Sequence, residues 1–158
     1  MRILGIDPGL ATVGFAVLDT DGREKELISV GVIKTAAGTP DPIRLKEIYD
    51  DITALIHEYK PDSCAVEQIF FSKNVSTGIQ VAQARGVIML ALENAALKIY
   101  EYTPSAMKLA LTGDGNADKK AIQKMVCIEL GLDEAPKPDD AANAVSLALS
   151  LSSELRWQ

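Results

Sequence analysis

Hydrophobic and polar positions change their period several times along the chain, and each change marks an element. Ile3 to Ile6 form an apolar run that stops at Asp7-Pro8-Gly9. Val13, Phe15 and Val17 then alternate with smaller or polar residues until Asp19 to Gly22, and a third β-rich stretch runs from Leu27 to Lys34. These predict a three-strand antiparallel meander whose last two strands join around Asp21-Gly22. After Pro40 and Pro42, residues Ile43, Leu45, Ile48, Ile52, Leu55 and Ile56 recur at helical spacing up to Tyr59-Lys60-Pro61. Ser63 to Glu67 is short, apolar and bounded by Pro61 and Asp62, so it reads as a buried strand ending in an acid. A long helix is predicted over about 74–96, with Val75, Ile79, Ala82, Gly86 and Met89 near its inner face. A fifth strand follows over Lys98 to Thr103, then a short helix from Pro104 to Leu111, a Gly-containing loop over 112–117, and helices over Asp118 to Leu130 and Asp139 to Leu151. The order predicts an α/β fold: a mixed five-stranded sheet, antiparallel in its first three strands, with helices on both faces. With no repeat or long linker, residues 1–158 are expected to form a single domain.

Composition changes this picture little. The 158 residues need no disulfide staple, and Cys64 and Cys127 read as small buried hydrophobes in a reducing compartment. An acid at position 7 and the lack of a long apolar span argue against a signal peptide or membrane helix, so a cytoplasmic location is expected. The formal net charge of −6 argues against nonspecific coating of nucleic acid, although it leaves room for a local basic face beside a carboxylate cluster.

Three places carry acids in positions that suit chemistry. Asp7 lies where a buried strand meets a turn, in Gly5-Ile6-Asp7-Pro8-Gly9; alone, such an acid is often a turn former. Glu67 ends an apolar strand, at the carboxyl edge of the sheet where open α/β folds tend to bind ligands. In Pro138-Asp139-Asp140-Ala141-Ala142-Asn143-Ala144, Asp139 or Asp140 could simply cap the last helix. Capping does not account for Asn143, which is three residues from Asp140 and shares its helix face, among alanines small enough for close packing on the sheet.

Taken together these segments resemble the bacterial RuvC family of Holliday-junction resolvases over nearly the whole chain. GIDPGLATVGFAV is similar to the family's opening strands, AVEQIFFSKN to its second acidic strand and adjoining loop, QARGV to its long helix and DDAANAV to its last helix. The resemblance implies a ribonuclease-H-like fold and a crossover junction endodeoxyribonuclease of DNA recombination and repair. Asp7, Glu67 and Asp140 fall on three of the family's metal-binding acidic positions, and Asn143 on the fourth, normally Asp. Two Mg²⁺ ions per site are implied, with Mn²⁺ able to substitute, because carboxylate oxygens suit hard divalent cations. An amide at 143 keeps the shape and loses the charge, so impaired cleavage by this chain is expected. Asp139, on the same helix, is a conceivable substitute charge.

The resemblance also assigns residues to DNA. Lys108 and Lys119 match lysines near the scissile bond, Lys73, Arg85 and Lys120 are weaker candidates for the same positive face, and Phe70 matches a wedge position at the junction centre. Of the adjacent Phe70 and Phe71, one is expected to be a core anchor. His57 has no partner for a metal motif and reads as a helix surface residue. Four-way junction DNA, a homodimer built on the long helix, and the branch-migration motor formed by RuvA and RuvB are the implied partners. Two rivals stand beside this reading: a noncatalytic four-way-junction binding protein, and an actin-like ATP-binding domain, suggested by Gly5 to Gly9 with Asp140.

Overall fold

The computed structural model describes residues 1–69 and 75–155. Phe70, Phe71, Lys73, Asn74 and Trp157 lie outside the described residues. Five strands, β1 (Arg2–Asp7), β2 (Thr12–Thr20), β3 (Lys25–Lys34), β4 (Ser63–Glu67) and β5 (Lys98–Tyr102), form one sheet in the order β3-β2-β1-β4-β5. The pairs β1–β2 and β2–β3 are antiparallel, while β1–β4 and β4–β5 are parallel. Helices α1 (Asp41–Tyr59) and α2 (Val75–Asn94) cover one face; α3 (Pro104–Thr112), α4 (Lys119–Leu130) and α5 (Asp139–Leu155) cover the other.

Side chains of alternate strand residues feed two separate cores. Ile3, Ala16, Leu18 and Ala65 pack with Leu147, Ala148 and Leu151 of α5, whereas Leu4, Ile6, Val13, Val17, Cys64 and Val66 pack with Ile48 and Ile52 of α1 and Ile88 and Leu92 of α2. The same alternation turns Asp7 and Glu67, at the ends of β1 and β4, toward the α5 side. Helix ends follow their sequence signals: Thr103 and Asp118 accept hydrogen bonds from the backbone N–H of Ala106 and Ala121, and Gly113 and Gly131 close α3 and α4 in the left-handed conformation.

Three expectations from periodicity are corrected. The buried stripe of α2 consists of Ala84, Ile88, Ala91 and Leu92, while Ile79 is 51% exposed and Gly86 is also exposed. Large apolar residues, among them Ile79, Val81, Val87, Ile88, Met89, Leu90 and Leu92, are spread around this helix, so the sequence did not show which face meets the sheet. Ile43 is exposed because the buried stripe of α1 runs through Arg44, Ile48 and Ile52, four residues apart, and Ile43 lies one position off it. Cys127 is only partly buried, beside the Ile122 and Val126 stripe of α4, while Cys64 is fully buried.

Candidate active site

The site is assembled where α5 crosses the ends of β1 and β2. Two glycines allow the crossing: a Cβ at Gly5 would lie 2.1 Å from the carbonyl oxygen of Ala144, and one at Gly14 would lie 1.9 Å from that of Asp140. Gly14 pairs with Asp7 across the β1–β2 ladder. The missing side chain at 14 therefore seats the first turn of α5 directly beside Asp7. On the other side, Ile6 pairs with Val66, which carries Glu67 next to Asp7.

Four sequence-predicted residues are brought together by this crossing. The Asn143 side-chain Nδ2 donates a 3.0 Å hydrogen bond to Oδ2 of Asp7. Asp7 is 6% exposed. Its carboxyl shares a hydrogen bond with that of Glu67, and the charge of Asp140 acts on both. Burial, then the negative neighbours, pushes the Glu67 carboxyl up to about 7. Burial likewise raises Asp7, opposed by the hydrogen bonds from Asn143 and Glu67. Burial and the mutual charge of the two carboxyls thus oppose ionising both together. Among the described residues no three acids, cysteines or histidines already close around a single point as metal ligands.

Beside Asn143 a cleft of about 280 Å³ opens between α3, α4 and α5, lined by Met107, Lys108, Lys119, Asp139, Asn143 and Ser146 among others. Lys108 and Lys119 therefore share this cleft with Asn143. Asp139 is exposed and paired at 2.7 Å with Lys119. Its carboxylate is committed to that lysine rather than substituting for position 143. Lys120 and His57 are exposed. Arg85 is engaged: its Nε donates to the Glu67 backbone carbonyl at 3.1 Å, and its guanidinium pairs with Glu101.

Sequence reasoning missed the support beneath the turn after Asp7. The buried Arg44 donates from Nε to the Thr35 hydroxyl at 2.8 Å, which in turn donates to the Leu10 carbonyl at 2.6 Å. An arginine inside the otherwise apolar Ile43–Ile52 stripe was the available signal.

A five-stranded mixed sheet with paired acids at adjacent strand ends and a final helix laid across them defines a ribonuclease-H-like domain with an acidic site. A family model described as "Crossover junction endodeoxyribonuclease RuvC" matches residues 3–151. The RuvC proteins of Brevibacillus brevis and Chloroflexus aggregans are 51% and 50% identical to this chain, over 95% and 94% of it and over 90% and 91% of their own lengths. Among solved structures, "T. thermophilus RuvC in complex with Holliday junction substrate" superposes with a TM-score of 0.94 at 33% identity, covering 99% of this chain and 96% of that one. The chain belongs to the RuvC family.

Proposed function

We propose that this protein is a Holliday-junction resolvase that hydrolyses phosphodiesters with divalent cations, and that Asn143 leaves it catalytically impaired. The observation that carries the reading is the convergence of Asp7, Glu67, Asp140 and Asn143, from three separate elements, at one edge of the sheet. Family membership supports it, since a T. thermophilus relative was solved with a Holliday junction substrate.

The residues present fit Mg²⁺ or Mn²⁺. All offer hard oxygen donors, and the mutual repulsion of Asp7, Glu67 and Asp140 is what a divalent cation would relieve. Asp7, Glu67 and Asp140, with the Asn143 amide oxygen as a weak fourth donor, would hold two such ions. When bound, they supply charge stabilisation at the scissile phosphate and an acidified water as nucleophile. Asn143 opposes this, because an amide brings no charge and its N–H already occupies an Asp7 oxygen.

Lys108 and Lys119 are assigned to phosphates near the scissile bond, a reading supported by their both lining the cleft beside Asn143. Phe70 and Lys73, which follow Glu67 by three and six residues, are assigned to the junction centre on the resemblance alone. Resolution requires opposed nicks in two like strands, so a homodimer is proposed through α2, whose outward face leaves Ile79 and Leu90 51% and 54% exposed. Association with the RuvA and RuvB motor is proposed from family membership alone.

A gel-shift competition without metal tests the substrate class. This chain is expected to retain a labelled immobile four-way junction in the presence of excess linear duplex of the same sequence. Equal competition by duplex would sink the reading.

The noncatalytic alternative differs in one respect: Asn143→Asp would not produce nicking.

A further inference from the structure

The end of β4 is held from the side by a residue of α2. Its last residue, Glu67, pairs with Tyr102 of β5, and one residue on, the N–H of Gln68 bonds to the Tyr102 carbonyl at 2.8 Å. Those bonds secure the β5 side of the strand. The Glu67 carbonyl is met instead by Nε of Arg85 at 3.1 Å, while the other edge of the same guanidinium pairs with the Glu101 carboxylate on β5. Arg85 is largely covered, its side chain 21% exposed against 41% for Glu101.

A planar fork can satisfy two acceptors in fixed directions at once, which a lysine ammonium on a flexible stem does not reproduce. Both edges of the guanidinium are taken up by Glu67 and Glu101 and the side chain is largely covered, unlike the exposed Lys119, so Arg85 offers little to a phosphate.

We propose that Arg85 is a positioning residue for the metal site: clamped to Glu101, it fixes the backbone of Glu67 so that its carboxylate stays opposite Asp7. The clamp ties the site to α2 next to Gly86, on the helix whose Ile79 and Leu90 are exposed. Disturbance of that helix face is thereby transmitted to Glu67. The inference rests on the reading of Glu67 as a metal ligand.

The test uses the full chain carrying Asn143→Asp, with Arg85→Lys, Glu101→Gln, the two combined, and Glu67→Gln as control. Calorimetry with Mn²⁺ in the absence of DNA is read beside the Mg²⁺ half-saturation of junction cleavage. Arg85→Lys and Glu101→Gln are each expected to weaken metal binding about tenfold, with junction affinity and its salt dependence unchanged. The combined variant should be no worse than either alone, since both break one link. Glu101 is exposed, so Glu101→Gln reports even where an Arg85 variant fails to fold.

Unchanged metal affinity in both single variants, with loss in Glu67→Gln, overturns the Arg85 inference alone. So does weaker junction binding by Arg85→Lys together with tighter binding by Glu101→Gln, the signature of a phosphate contact. Metal binding that survives Glu67→Gln overturns the reading of Glu67 itself, and the inference with it.

Discussion

Asn143 gives its amide proton to Asp7 across 3.0 Å, joining the last helix to the first strand through a bond that an ionised aspartate at 143 could not donate. The amide satisfies an Asp7 oxygen without bringing a charge. On the proposed metal-binding reading, it stabilises the metal-free cluster at the expense of its attraction for cations.

Asn143→Asp should therefore have opposite effects on folding and on metal binding. Without metal, a fourth carboxylate beside Asp7, Glu67 and Asp140 lowers stability in urea denaturation. With Mg²⁺ the order reverses, and metal affinity by calorimetry rises at least about tenfold.

The pH dependence of stability has a definite sign. Folded Glu67 keeps its proton up to about pH 7, against 4.5 for the ordinary group. Below 4.5 both folded and unfolded states are protonated and burial carries no charge penalty. As pH rises from 4.5 through 7 the unfolded chain releases its proton first, so this group's stabilising contribution is lost across that window. Metal-free Glu67→Gln should then be more stable than the parent by roughly 1–3 kcal/mol near about pH 8, with the difference gone near about pH 4. Urea titrations at the two pH values check it, and a constant difference would contradict the cause assigned.

Gly14→Ala tests the helix crossing. With its Cβ 1.9 Å from the Asp140 carbonyl oxygen, backbone has to move. A loss of more than about 2 kcal/mol is expected in urea denaturation. Gly22→Ala, at a turn with open space around it but φ +94°, should cost less, about 1 kcal/mol.

The lysines beside the cleft should behave as phosphate ligands. Lys108→Ala and Lys119→Ala are each expected to weaken junction binding and to reduce the slope of log affinity against log salt by about 1. Because Asp139 holds Lys119 in an exposed ion pair, Asp139→Asn should tighten binding by about twofold to fivefold. Fluorescence anisotropy over a salt series measures all three.

Much of this was legible in the sequence, for identifiable reasons. The strands were marked by period-two alternation and by turns at Asp7-Pro8-Gly9 and Asp21-Gly22, and α1 and α3 by Pro40, Pro42 and Pro104 at their starts. The capping roles of Thr103, read as the end of β5, and of Asp118, read as the first residue of α4, came from the structure. Asp7, Glu67, Asp140 and Asn143 stood out because acids and an amide interrupt apolar or alanine-rich segments. The inner face of α2 was misread because large apolar residues lie on several sides of the helix, leaving Ile79 and Ile88 equally eligible. The Arg85–Glu101 clamp and the Arg44–Thr35–Leu10 chain were invisible because each joins residues whose proximity only the tertiary fold creates. The need for glycine at 14 is set by α5 lying against it, a contact made only by the tertiary fold.

The most direct test of metal-dependent resolution is cleavage of an end-labelled immobile four-way junction in Mg²⁺ by three proteins: this chain, Asn143→Asp, and Asn143→Asp with Asp7→Asn. Paired nicks at symmetric positions from Asn143→Asp, little from the parent and none from the doubly substituted protein are expected. Equal nicking by the first two, or nicking that survives Asp7→Asn, would contradict it.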